Sequence, residues 1–348
     1  MEAETRIVAP RRVSLAAAWP SPAAGTLAAV LLAGCAGDAL PAGRRGGAGD
    51  RPETPAEAIP VAVSVPPAAW LVERVGGERV AVTALLPPGR SPHAWEPSPR
   101  ELAALGRARL VVVVGHTTLP FEERLLAAAR RGGEPSVVAM TEGIALLPGA
   151  DGDHHDGADE GAGHGVDVGG YPGPPIESDT DPHVWLDPEV MAATGERVAA
   201  ALAAIDPEHA AEYRDRHDRL RAEIDALDRE IRATLAGVTE RRFLAYHPAW
   251  GYFAARYGLV QEAVESEGKE PGPRRLVERM ESARARGARV VFVQRAVSGR
   301  GARVLAEEIG AEVVVLDPLA SDWPDNLRRV AAAMAAALGA EAPGAGAP

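Results

Sequence analysis

The sequence predicts an α/β fold of two lobes, each with a mostly parallel sheet, joined by a long rigid helix. Three observations predict it. Short β-rich runs alternate with helical patterns at the spacing that lays helices over parallel strands. The runs fall into two sets, on either side of a helix start at Asp187-Pro188-Glu189. Hydrophobic residues make up 46% of the 348, which is enough for a sizeable core and excludes wholesale disorder.

The amino terminus reads as an address. Arg6, Arg11 and Arg12 form a positive region, and an apolar run from Ala23 to Gly34 follows. The run is too short to span a bilayer but suits a secretory signal. Leu32-Ala33-Gly34-Cys35 resembles the lipobox of bacterial lipoproteins, which is cut before a cysteine that then carries lipid. Residues 1–34 are therefore expected as a signal peptide, with the true start codon downstream of Met1. Cys35 is the expected lipidation site, which explains a solitary thiol in an exported chain. Residues 35–58 carry Ala, Gly, Pro and charge without periodicity and read as a flexible tether.

The first lobe is expected over 59–187. Its strands are Val61–Val65, Arg79–Leu85, Leu110–Val114 and Ser136–Ala139, with helices at Pro99–Gly106 and Phe121–Arg131. Asp187 as N-cap, Pro188 at the first helical position and Glu189 in the first turn open a connecting helix over 188–205. Asp206-Pro207-Glu208 repeats the signal and opens a second helix to about Leu235, dense with charge and read as a solvated, salt-bridged face. The second lobe is expected over 206–339. Its strands are Phe243–Tyr246, Leu259–Val264, Arg289–Val293 and Glu312–Leu316. Helices fall at Trp250–Tyr257, Pro273–Arg286, Gly301–Ile309 and from Pro324 onward. Residues 340–348 read as a disordered tail.

Composition limits the function. A formal charge of −12 leaves no positive field to meet phosphates, and 4% aromatic residues make a poor stacking platform, so nucleic acid is not an expected partner. One cysteine rules out an internal disulfide and a cysteine-rich metal site. The nine histidines point to chemistry. His154, His155 and His164 lie in an acidic, glycine-rich loop at 149–175 and suit low-affinity recruitment of a divalent metal. His93 follows the second strand, His247 follows Phe243-Leu-Ala-Tyr, and Asp317 follows Val313-Val-Val-Leu. Ligands of α/β sheets bind beyond such carboxyl ends. His183 sits just before the connecting helix, at the hinge between lobes. Three imidazoles and one carboxylate make a tetrahedral set suited to Zn²⁺, while a site richer in oxygen would suit Mn²⁺. Asp317 has an alternative role as a turn cap. Binding is expected to weaken as pH falls through the histidine range.

Three blocks carry a family resemblance: His93-Ala-Trp-Glu-Pro-Ser-Pro, Asp181-Pro-His-Val-Trp-Leu-Asp-Pro and His247-Pro-Ala-Trp-Gly-Tyr-Phe-Ala. With Glu267-Gly-Lys-Glu-Pro, Val291-Phe-Val-Gln and Leu316-Asp-Pro-Leu, they resemble the zinc-binding receptors of ABC importers, metal receptors with a rigid helical backbone between lobes. The resemblance covers the chain from about Ile59 to Leu338. It implies His93, His183 and His247 as ligands, with Asp317 at a variable fourth position. It also implies an extracytoplasmic, lipid-anchored receptor, in the periplasm or on the cell surface, that hands Zn²⁺ to a permease and its ATPase. A monomer without enzymatic activity is expected. His116 departs from the pattern and is a fourth ligand, a residue supporting the ligands, or a packed strand end. The alternatives are a secreted zinc hydrolase, for which no His-Glu-x-x-His helix is present, a manganese or iron receptor of the same fold, and an adhesin.

Overall fold

The computed structural model describes residues 58–149, 179–265, 272–285, 287–294 and 299–339. The signal, Cys35, the tether, the loop histidines His154, His155 and His164, the Glu267 block and the tail lie outside the described residues.

Two four-stranded sheets form, and every pairing is parallel. The first contains β1 (Ile59–Val63), β2 (Val80–Ala84), β3 (Leu110–Val113) and β4 (Ser136–Ala139), in the order β2-β1-β3-β4. The second contains β5 (Arg242–Ala245), β6 (Val260–Ala263), β7 (Val290–Gln294) and β8 (Glu312–Leu316), in the order β6-β5-β7-β8. The two lobes thus repeat one strand order although their sequences show no clean repeat. In each, the order reverses beside the first strand of the set, which is where such sheets open a crevice at their carboxyl ends. The strands β1 and β3 are buried almost throughout, as parallel strands covered on both faces must be.

The helices are α1 (Pro66–Gly76), α2 (Pro99–Ala103), α3 (Phe121–Gly132), α4 (Pro188–Ile205), α5 (Ala210–Leu235), α6 (Gly251–Tyr257), α7 (Pro273–Ala285), α8 (Gly299–Ile309) and α9 (Trp323–Ala337). The sequence does not announce α1, because its N-cap is Val65 and no side chain caps it. Burial of Leu71, Val72 and Val75 on one face holds it instead. Asp187 does cap α4, its carboxylate accepting from the Glu189 amide.

The second helix carries its expected salt-bridged face and, opposite it, a buried one. Leu220, Ile224, Leu227, Ile231 and Leu235 form a buried stripe on α5, at spacings of three and four. With that stripe α5 packs along α4 and against α1 of the first lobe and α9 of the second. Its charges occupy the other face. The lobes therefore share a paired helical spine and a hydrophobic core that runs through both, while a second cluster packs the other face of the second sheet on α7 and α8.

Tryptophans fasten the spine. Trp70 of α1 meets Trp323 of α9 with ring centroids 5.0 Å apart. Trp185 donates through Nε1 to the Pro318 carbonyl (2.7 Å), and Trp323 donates to the Trp185 carbonyl (2.8 Å). Arg256 of α6 is a third fastening. Its guanidinium meets Asp187 at the head of α4 (3.0 Å) and Asp228 of α5 (2.7 Å). Replacing Arg256 by Ala leaves the shielded Asp187 without a cation and Asp228 with Arg232 alone, at a cost of about 3 kcal/mol. The solvated pair Arg274–Glu278 should cost less than about 0.5 kcal/mol when broken. Urea unfolding of the two variants checks the contrast.

Candidate metal centre

Each histidine reaches the crevice by a different local device. His93 stands in a turn-rich segment beyond β2, where Pro87, Pro88 and Gly89 prevent further pairing. His183 precedes the single turn Val184–Leu186 that leads into α4. His247 lies two residues beyond the end of β5, at the reversal point of the second sheet.

The three rings meet. One nitrogen of each lies within 4.8 Å of those of the other two, and among the described residues this is the one grouping able to hold a metal ion. His93 Nε2 stands 3.4 Å from His183 Nε2, and His247 Nε2 stands 3.3 Å from it. Nitrogens at the corners of a tetrahedral zinc site, each about 2.05 Å from the ion, lie about 3.3 Å apart. The rings bound a cavity of about 30 Å³, with Thr118, Thr180 and Pro182 in its wall. That volume suits a single ion or water.

The opposite ring edges decide what the Nε2 atoms can do. His183 Nδ1 lies 2.7 Å from Asp181 Oδ1, and His247 Nδ1 contacts Glu265 Oε1. A carboxylate only accepts, so each Nδ1 carries the proton and each Nε2 offers a lone pair. Lone pairs facing one another at 3.3 Å have no proton to share. A cation between them resolves the repulsion. The proton is kept off by the surroundings. Burial, then the neighbouring imidazoles, hold His93 and His183 well below the ordinary histidine range. The expected loss of metal through that range is thus moved to lower pH.

The structure places Asp317 apart from the three rings. Its Oδ1 accepts from the Leu319 amide (2.9 Å), and it lines a separate cavity of about 550 Å³ beside Pro87, Pro88 and Gly89. The Asp-Pro-Leu turn uses the carboxylate as a cap and leaves it outside the histidine grouping. His116 also stays outside. Its Nε2 is 2.8 Å from Thr180 Oγ1 and its Nδ1 is 2.9 Å from Thr118 Oγ1, so both nitrogens are engaged. It braces two residues of the cavity wall, and burial pushes it down to about 4. Gly115 aims it: φ is +81°, and a Cβ there would lie 2.8 Å from that of Ala139. Trp185 stands 5.3 Å from the His183 ring and closes that side, whereas Trp95 packs on Phe121.

The sequence does not point to Glu265. It stands two residues past the end of β6, so the strand-end rule that finds His247 would also find it. Asp181 lies within a quoted block, but its role appears only in the fold.

The model of the family described as ZnuA, zinc-uptake complex component A periplasmic, matches residues 61–337. A protein of Treponema pallidum (strain Nichols) named for metal binding is 32% identical over 267 residues, 75% of this chain and 79% of that relative. The high-affinity zinc uptake system protein ZnuA of Bacillus subtilis (strain 168) is 27% identical over 243 residues, 68% of this chain and 71% of that one. A crystal structure of ZnuA, 32% identical, covers 81% of this chain and all of its own with a TM-score of 0.70.

Burial of the rings has a stability consequence. Below pH 6.5 the unfolded chain protonates His93, His116 and His183, which the folded chain holds neutral. Burial raises Asp181 to about 7, so the folded chain carries one extra proton there. Three protons taken up by the unfolded state outweigh one by the folded state, and stability falls as pH falls from 6.5 towards 4. Thermal melts of chelator-treated protein should show Tm dropping across that window. A flat Tm would mean that the rings are open to water.

Proposed function

The chain belongs to the family of zinc-uptake complex component A, extracytoplasmic solute-binding receptors, and from that premise we propose that it captures one Zn²⁺ between its lobes for delivery to an ABC permease. The convergence of three imidazole nitrogens within 4.8 Å carries this reading. An all-nitrogen donor set favours zinc over manganese, which prefers oxygen. The ion is cargo, held by His93, His183 and His247 and shielded on one side by Trp185. No helix among the described residues is long and apolar enough to cross a membrane. Lipid on Cys35 would supply the anchor, with the folded part a monomer that visits the permease and its ATPase.

Metal-assisted hydrolysis is less well supported. It needs room for a substrate beside the ion and a base free to take a proton from water. The cavity between the rings is about 30 Å³, and both carboxylates next to the rings are already bonded to them.

Competition with a fluorescent chelator should find one tight zinc per chain and no turnover of ester, peptide or phosphate substrates. Replacing His247 by Ala should weaken binding by about two orders of magnitude or more while the far-ultraviolet spectrum is kept, since two nitrogens cannot close the site. Unchanged affinity would remove His247 from the ion's ligands. Deleting Asp151–Gly165 should leave the tight site intact and remove weaker additional sites, if the loop histidines recruit metal for the cleft. Loss of tight binding in that deletion would move the main site into the loop.

A further inference from the structure

Asp181 and Glu265 approach the rings from behind, and neither belongs to the grouping that faces the ion. Asp181 Oδ1 takes the His183 ring proton (2.7 Å) and the His183 amide (2.9 Å). Glu265 takes the ring proton of His247. Both are almost fully buried, at 6% and 3% exposure. Among the described residues the ion partner of each is its own histidine. No described carboxylate pairs with the His93 ring. The crevice is built around Asp181: a Cβ on Gly251 would lie 2.4 Å from its Oδ2, so only glycine leaves room for the carboxylate there. The Tyr252 hydroxyl donates to its carbonyl (3.1 Å).

Three neutral imidazoles bring no charge to a dication in a water-poor pocket, where uncompensated charge is costly. Asp317, the carboxylate expected to supply charge by direct contact, is turned into its own turn. We infer that Asp181 and Glu265 set the charge selectivity of the site. With the ion on the rings both carboxylates are ionised, and their two negative charges, each one imidazole removed from the ion, balance a doubly charged cargo and favour it over a monocation on the same three rings. The inference rests on the metal-binding reading above and assigns both residues a positioning and selecting role without contact to the ion.

The test separates charge from ring orientation. Glu265→Gln keeps an oxygen that can accept from His247 Nδ1 but removes the charge. Titration calorimetry with Zn²⁺ and with Ag⁺, in chloride-free buffer, then compares a dication with a monocation on one donor set. Zinc affinity should fall about 10- to 100-fold, the usual cost of losing such a partner. Silver feels half the Coulomb energy and should lose only about the square root of that factor, about 3- to 10-fold. Asp322→Asn, at an exposed carboxylate outside the grouping, should change neither. If Glu265→Gln does not fold, Asp181→Asn carries the same comparison. Equal losses for both ions, or none, overturn the inference while the zinc site stands. Failure of the unsubstituted protein to bind either ion overturns the metal reading and this inference together.

Discussion

Three imidazole nitrogens point at one another across a buried space, and the rest of the crevice follows from keeping them so. Neutral imidazoles do not gather this way for their own sake. Their nearest nitrogens are 3.3 and 3.4 Å apart, and between His183 and His247 there is no hydrogen to share. The arrangement is tolerable because two of the rings are held from outside: His183 by a carboxylate and by the packed turn before α4 under Trp185, and His247 by a second carboxylate. The fold supplies the energy that keeps the donors together before an ion arrives, so less must be drawn from the ion itself.

That demand explains the shape of the scaffold. Donors contributed by both lobes stay in register only if the lobes cannot swing freely. The paired helices α4 and α5 share one core with both sheets, and Arg256 and the tryptophans pin the second lobe to that spine. A wide hinge would separate His247 from His183 at every opening. The capture and release proposed above would then use movements smaller than a domain swing, such as a turn of the His93 segment, where no described carboxylate pairs with the ring.

Much of this is legible in the sequence because strand ends and caps have local causes. The runs Ser136–Ala139 and Glu312–Leu316 are centred on valines and coincide with β4 and β8, and Asp187-Pro188-Glu189 starts α4 as its chemistry dictates. The same rule places His93 and His247 at carboxyl ends. What escapes is non-local. The helix α1 lacks a cap and exists by packing, and the buried face of α5 is masked by its charges. Asp317 obeys the strand-end rule yet serves its own turn, which only the position of the Leu319 amide reveals. Glu265 becomes visible once β6 is paired beside β5, so that the ends of two strands lie side by side.

A receptor must hold its ion tightly and also surrender it, and the arrangement of charge bears on both. A carboxylate in direct contact would add a strong, short-range bond that has to break at hand-over. Charge placed one ring away lowers the energy of a dication throughout the pocket while leaving each bond to the ion a neutral nitrogen bond. Shifting one imidazole then weakens the cage without stranding a bare carboxylate in the dry pocket, because Asp181 and Glu265 keep their partners throughout. The structure in this way separates attraction, which is spread over two carboxylates, from coordination, which is local and reversible.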